Sequence, residues 1–498
     1  MAPTTDRPSG TSLGKQLERL LPSALSSIGM AGLVNARRLD PSVPDTTVPS
    51  RSTQERLDSY LRQDPEALTP RSLRKVLTDL QAIVDTRVSE VEGVRKADPF
   101  VSWYHQASPE ARADAWRLMT EQFAPDPQQV RQAREAYDAA LGTPEEAQAE
   151  IRLRKAFHSP RTRLLQRIAA SRDGMRFLLD LRTEVLAALR REPTLVPLDA
   201  ELEALFTSWF DIGFLELRTI SWDSPASLIE KLIRYEAVHD IVSWEDAKNR
   251  LDRDRRCFAF FHPRLPDEPL IFVEVALTRA ISDSMVPLLD IHAGPVDLQK
   301  ANTAIFYSIS NTQTGLRGVG FGDSLIKRVV EALQHELPQI RRFSTLSPIP
   351  GLRKWLDRNA AHVAQSLTPK TLQQLRKQHP ELPADTWQDQ WPALLTLHAS
   401  RDEEDMLQQL LRKAAAMYLT GIGKDGRPLD AVARFHLGNG ARVEHIHWDA
   451  DPSPKGEKQS YGLMVNYLYN LDRLDRNRER LAQGKVATSR EVGALAAL

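Results

Sequence analysis

Two stretches of this sequence carry residue types suited to chemistry. The first is Gln313-Thr314-Gly315-Leu316-Arg317-Gly318-Val319-Gly320-Phe321-Gly322, with glycine at 315, 318, 320 and 322. Glycine lets backbone amides approach an anion closely and adopt angles closed to other residues. The segment after it places Leu325, Val329, Val330 and Leu333 on one helical face. The loop therefore leads into a helix whose first N–H groups lack partners and carry partial positive charge, a cradle for pyrophosphate. A Walker-type loop would need Lys and then Ser or Thr after the last glycine, where Asp323-Ser324 stands. The G-x-G-x-x-G dinucleotide fingerprint is also excluded, because the glycine spacing is wrong. The second stretch holds His436, His445 and His447. His445 and His447 alternate onto one face of a strand. With His436 they raise the question of a metal triad, but no H-E-x-x-H or carboxylate–histidine set accompanies them. We read a polar strand face beside Trp448 and no metal site. His436 has the one side chain that gains and loses a proton near neutral pH, so it is either an acid–base group or a hydrogen-bonded strand histidine.

These residues need a scaffold, and composition bounds it. The chain has 498 residues, with 66 Lys+Arg against 66 Asp+Glu. That balance argues against a general nucleic-acid binder. The single cysteine, Cys257, excludes an intrachain disulfide, a multi-cysteine zinc site and a cysteine-ligated iron–sulfur cluster. No apolar run approaches the roughly 18 residues of a membrane span, so we expect no membrane partner. Residues 1–50 are rich in Ser, Thr, Pro and Arg and read as a poorly ordered tail. Their basic amphipathic piece at 12–38 leaves a mitochondrial address as the alternative to a cytoplasmic enzyme.

Residues 51–200 read as helix throughout, with Leu73, Val76, Leu77, Leu80, Ile83 and Val84 at helical spacing. Thr69-Pro70, Ser108-Pro109, Thr143-Pro144 and Ser159-Pro160 each mark a helix start. We expect a helical bundle serving oligomerisation there. From about 205 the pattern changes to strands at 214–220, 256–262, 270–277, 303–310 and 342–346, with two helices after the first and one after the glycine loop. Residues 352–420 look helical and polar, an insertion. A hairpin is expected from 432–437 and 442–448 around Gly438-Asn439-Gly440. The fold class is α+β, with residues 201–498 forming a mixed-sheet catalytic domain.

Arg317-x-x-Gly320-x-Gly322 fits the R/Q-x-x-G-x-G/A form, and so resembles the coenzyme A pyrophosphate loop of GNAT-type acyltransferases. The order strand, two helices, three strands, loop, helix, strand is also that of the GNAT fold. Four longer segments are more specific: FYSISNTQTGLRGVGFGDSLIKRVVEALQ (306–334), FSTLSPIPGLRKWL (343–356), ARFHLGNGA (433–441) and SYGLMVNYLY (460–469). In wording and order they resemble the malonyl-CoA decarboxylase family across much of 205–470. The helical first half resembles that family's amino-terminal domain in position and style.

The resemblance implies decarboxylation of malonyl-CoA to acetyl-CoA and CO2 without metal or organic cofactor, and a homo-oligomer, dimer or tetramer. A CoA-dependent acyltransferase acting on an amine is the alternative. Loss of CO2 leaves an enolate, whose oxygen needs preorganised donors and whose carbon needs a proton. The family's serine–histidine pair falls on Ser344 and His436, with Ser347 the nearest competitor to Ser344. Tyr467 and Asn466 are candidates for orienting the carboxylate or thioester, and Tyr467 joins Ser344 and His436 in the expected catalytic set. The expected CoA-binding set is Gln313, Thr314, Gly315, Leu316, Arg317, Gly318, Val319, Gly320 and Gly322, with Ser344 and His436. Asn439 only shapes the turn. Arg341, Arg342, Lys327 and Arg328 are either contacts for the coenzyme's 3′-phosphate or solvated charges.

Overall fold

The structure is a computed structural model that describes residues 68–320, 325–380, 387–388, 391–392 and 405–497. The 12–38 segment, Phe321 and Gly322 lie outside the described residues. From Pro70 to Trp209 the described chain is helical. Two of the Ser/Thr–Pro pairs act as read, whereas Thr143-Pro144 lies in the turn before a helix that begins at Glu146 with Glu145 in the cap position. Ser108 accepts from the Ala111 N–H with Pro109 in the first turn, and Thr69 accepts from the Ser72 N–H ahead of the helix Pro70–Val84.

The chain divides into two compact units, Met1–Leu77 with Ser108–Arg161 and Thr78–Ala107 with Thr162–Leu498. The first unit buries Ala115, Trp116, Leu118, Met119 and Phe123. The second unit contains the sheet and also the helices from Thr162 to Trp209, which include Gly174–Ala188 and Val196–Trp209.

The sheet has eight strands: β1 Glu216–Ile220, β2 Arg255–His262, β3 Leu265–Thr278, β4 Thr303–Asn311, β5 Arg342–Thr345, β6 Ser347–Pro348, β7 Arg442–His447 and β8 Met464–Tyr469. Their order is β1-β2-β3-β4-β5-β8-β6, with β7 also on β8. Only β4 and β5 pair in parallel among these, and the helix Leu325–Glu336 makes the crossover. The two helices after β1, Ala226–Tyr235 and Trp244–Asn249, cover one face through Ile229, Leu232 and Ala247 against Cys257, Ala259, Phe261 and Phe272. β4 bulges at Tyr307, where the register with β3 passes from Val275↔Phe306 to Glu274↔Ser308.

The pairing of β8 with β5 and β6 matters most for the site. Phe343 faces Tyr469, Ser344 faces Leu468, Ser347 faces Val465 and Pro348 faces Met464. One register runs through all four pairs, but the backbone ladder is interrupted at Thr345 and Leu346.

Two expectations are corrected. Residues 432–437 are not a hairpin strand but part of the helix Ala431–Gly438. Asp430 caps it by accepting from the Ala433 N–H at 2.8 Å, and the buried positions Ala433, His436 and Leu437 recur at helical rather than alternating spacing. Gly440, at φ +84°, then turns the chain into β7. The 352–420 segment is helical where described, but its last helix, Met406–Thr420, is core and not a solvated surface: Leu407, Leu410, Leu411, Ala414 and Leu419 are all buried.

Arg182, on the Gly174–Ala188 helix, ties the glycine loop down. Fully buried, it donates to Asp199, to Glu203 and to the Gly315 carbonyl, each at 2.8 Å. Arg182→Met should cost about 3 kcal/mol, because it orphans a buried carbonyl and a mostly buried carboxylate. Arg154→Met, which breaks only an exposed pair with Glu150, should cost less than about 0.5 kcal/mol. Urea unfolding of both variants checks the contrast.

Candidate active site

The glycine loop leaves the end of β4 and is held by its buried members. Leu316 and Val319 are buried. Gln313 accepts from Arg176 at 2.7 Å and donates to Glu268 at 3.1 Å. Gly315 is a packing position, since a Cβ there would lie 2.3 Å from the Leu179 carbonyl oxygen. These residues shape the loop. Its exposed members, Thr314, Arg317, Gly318 and Gly320, are the ones a ligand can reach. Gly318 has φ +85°, and a side chain there would press on the Glu203 carboxylate, which Arg182 neutralises. Among the described residues the N–H groups of Gly318 and Gly320 have no acceptor, whereas those of Leu316, Arg317 and Val319 close turns within the loop. Two unpaired amides beside an exposed arginine suit a diphosphate.

The histidine site forms where the helix Ala431–Gly438 meets β6 and β8. His436 is 3% exposed. Its Nε2 lies 3.3 Å from Ser347 Oγ and its Nδ1 lies 2.7 Å from Tyr469 Oη. Its ring stacks on Tyr467 at 4.5 Å between centroids. Ser347 Oγ also donates to Thr345 Oγ1 at 2.9 Å. Burial alone pushes the imidazole down to about 3, and no charged side chain acts on it. It is neutral at physiological pH. Burial also raises the Tyr467 and Tyr469 phenols, so both keep their protons. The site is a neutral, buried cluster of hydroxyl and imidazole groups. Such a cluster can donate hydrogen bonds to a carboxylate or enolate without carrying charge itself.

Ser344 is not part of it. It is three residues from Ser347, and an odd separation along an in-register strand puts the two on opposite faces. Its hydroxyl turns to the Thr345 and Tyr467 carbonyls at 3.3 and 3.4 Å. The serine brought to His436 is Ser347, the competitor. Tyr467 contributes its ring to the imidazole, while its buried hydroxyl has no partner among the described residues. Asn466 faces away from His436 and clamps the Thr345 carbonyl at 2.7 Å. Asn439 donates to the Phe435 carbonyl at the helix end, consistent with a turn role. His445 pairs with Glu491 and His447 with Asn466. Among the described residues no three His, Cys, Asp or Glu side chains could hold a metal together. Arg328 is a strap, donating through one guanidinium nitrogen to the Ile212 and Leu215 carbonyls at 2.7 Å. Lys327 sits near Glu331 on an exposed face. Sequence reasoning missed Tyr469 and Thr345. The alternation of Tyr467 with Tyr469 was a usable signal; nothing in the sequence marked Thr345.

Comparison with known proteins gives one answer. The malonyl-CoA decarboxylase C-terminal domain family matches residues 213–497, and the malonyl-CoA decarboxylase N-terminal domain family matches residues 123–210. The mitochondrial malonyl-CoA decarboxylase of Anser anser anser is 40% identical over 337 residues, covering 65% of this chain and 67% of the relative. That of Mus musculus is 38% identical over 404 residues, covering 75% and 79%. The crystal structure of malonyl-CoA decarboxylase from Rhodopseudomonas palustris superposes with a TM-score of 0.72 at 40% identity, covering 84% of this chain and 98% of that one. The Agrobacterium vitis enzyme gives 0.73 at 38% identity, covering 84% and 99%.

The depressed His436 makes a prediction for stability. Its folded value is about 3 and its ordinary value 6.5. Between these, the unfolded chain binds a proton that the folded chain refuses. Stability on this account is therefore constant above pH 6.5 and declines as pH falls toward 3, by at most about 1.4 kcal/mol per unit. From pH 7 to 5.5 the unaltered protein should lose about 1 kcal/mol more than His436→Asn. Parallel denaturation curves for the two would show that the imidazole is not buried neutral.

Proposed function

The chain belongs to the malonyl-CoA decarboxylase family, and from that premise we propose that it converts malonyl-CoA to acetyl-CoA and CO2 with Ser347 and His436 as its serine–histidine pair. The observation that carries the reading is the 3.3 Å contact between Ser347 Oγ and a fully desolvated, uncharged His436.

The chemistry then runs as follows. The coenzyme's pyrophosphate rests on the Gly318 and Gly320 amides near Arg317, and the malonyl arm reaches the β5–β8 junction. A carboxylate brought into a site without countercharge is poorly solvated, which favours its departure as neutral CO2. The C2–carboxyl bond breaks, its electron pair enters the C1–C2 bond, and the thioester oxygen becomes an enolate oxygen. The neutral donors stabilise that charge. As the carbonyl re-forms, C2 takes the Ser347 proton; His436 returns one from Nε2 as Tyr469 Oη passes its own to Nδ1, and solvent restores the relay, so one proton is consumed per turnover. The thioester delocalises the charge itself, which is why the proposal includes no metal or organic cofactor.

We further propose that the protein is a homo-oligomer, for which the exposed Leu141, Ile151 and Phe157 of the helical region offer apolar contacts. Light scattering of the purified chain tests this. Among the described residues no helix is long and apolar enough to cross a membrane. The cytoplasm is the proposed compartment. The mitochondrial matrix is the alternative, because the curated relatives are named mitochondrial.

Purified protein with malonyl-CoA and excess chelator should release CO2 and acetyl-CoA in equal amounts. Acyl transfer to an added amine without CO2 would instead establish the acyltransferase. Ser347→Ala and His436→Asn should each lower kcat by about 10²-fold or more. Ser344→Ala should stay within a few-fold, and the reverse order would return the role to Ser344. Because His436 is neutral in the free enzyme, kcat/KM should show no break near pH 6.5 from this group.

A further inference from the structure

We infer that Thr345 is a positioning residue for the Ser347–His436 pair, setting the direction of the serine hydroxyl and through it the imidazole tautomer. The inference rests on that pair being the working one. Thr345 lies at the interruption in the β5–β8 ladder and is completely buried. There its side chain replaces a ladder carbonyl: Oγ1 accepts from the Tyr467 N–H at 3.1 Å. A backbone N–H can only donate, so one lone pair of Oγ1 is permanently committed. The other accepts from Ser347 Oγ at 2.9 Å.

With the serine proton directed at Thr345, a serine lone pair faces His436. Nε2 must then carry the imidazole proton and donate to Ser347. Nδ1 is left as an acceptor, and Tyr469 Oη donates to it at 2.7 Å. The donors run in one direction, from Tyr469 to His436 to Ser347 to Thr345. The end of that line is held firmly. Thr345 is β-branched, which restricts its χ1 angle. Its carbonyl accepts from Asn466 Nδ2 at 2.7 Å and from Ser344 Oγ at 3.3 Å. Asn466 is held in turn, donating to the Ser282 carbonyl at 3.1 Å and accepting from His447. Thr345 touches no substrate in this account. It acts by holding the resting serine hydroxyl proton on Thr345, with a serine lone pair toward Nε2, so that when the hydroxyl turns to give its proton to C2, His436 is already aligned to recharge the oxygen.

The test compares Thr345→Val, which keeps the shape and removes the acceptor, with Thr345→Ser, which restores it. Thr345→Val should lower kcat by about 10- to 100-fold while KM for malonyl-CoA changes less than about threefold. Thr345→Ser should recover most of the rate. In a Ser347→Ala background, Thr345→Val should add no further loss, because the hydroxyl it directs is gone. An equal loss in both backgrounds, or a change in KM alone, would overturn the inference in favour of general packing. Full activity in Ser347→Ala would instead refute the pair itself, whatever Thr345→Val does. Nitrogen-15 spectra of histidine-labelled, unaltered protein give a reading independent of variant folding: His436 should be protonated at Nε2, and protonation at Nδ1 would overturn the inference.

Discussion

The site depends on one antiparallel pairing, that of β8 with the bent strand made by β5 and β6. It keeps register from Phe343↔Tyr469 to Pro348↔Met464 while losing its backbone ladder for two residues. Register fixes which side chains share a face, and a shift of one residue would exchange every one of them. Because the register is continuous, Ser347, Thr345, Tyr467 and Tyr469 all meet on the His436 side. Because the ladder is open, side chains and not carbonyls complete the hydrogen bonding there. A regular ladder would leave Thr345 with nothing to accept from the Tyr467 backbone.

The other elements serve this junction or the glycine loop. The helix Ala431–Gly438 is short, and its cap at Asp430 and its turn at Gly440 set where the imidazole arrives. The helix Gly174–Ala188 contributes no chemistry, yet Arg182 on it anchors the Gly315 carbonyl and neutralises Glu203 beside Gly318. If the loop cradles an anion as proposed, the guanidinium offsets the carboxylate beside it. β4 and β5 are neighbouring parallel strands, so the loop after β4 and the serine after β5 lie toward the same end of the sheet. That is where open α/β sheets place their ligands.

The charge state of the site follows from burial. An imidazole in water near neutrality would be partly protonated, and a carboxylate substrate would form an ion pair with the charged form. Here burial holds the ring neutral. Under the proposed mechanism a substrate carboxylate would gain hydrogen bonds but no counterion, and an ion pair would hold the carboxylate in place rather than release CO2. The same burial destabilises the protein as pH falls, so the neutrality of the ring and the acid sensitivity share one cause.

Much of this was legible in residues 306–356 and 433–469, read as a chain of motifs. The glycine loop, the strand and helix order around it, His436 and a short list of serines and tyrosines were all visible, because local periodicity and glycine chemistry are written locally. The error at 432–437 shows the limit: Val432, Arg434 and His436 alternate as well as they turn, and the Asp430 cap with its packing decided for helix. The choice between Ser344 and Ser347 was beyond the sequence for a deeper reason. Both sit in one extended segment, and parity tells only that they face opposite ways. Which way is inward depends on the register against β8, more than a hundred residues later in the chain. Thr345 was invisible on the same ground, since its hydroxyl acquires a role only where that distant strand leaves a backbone N–H unpaired. The sequence by itself determined the family, the loop and the imidazole; the pairing of two remote strands decided which hydroxyl meets it.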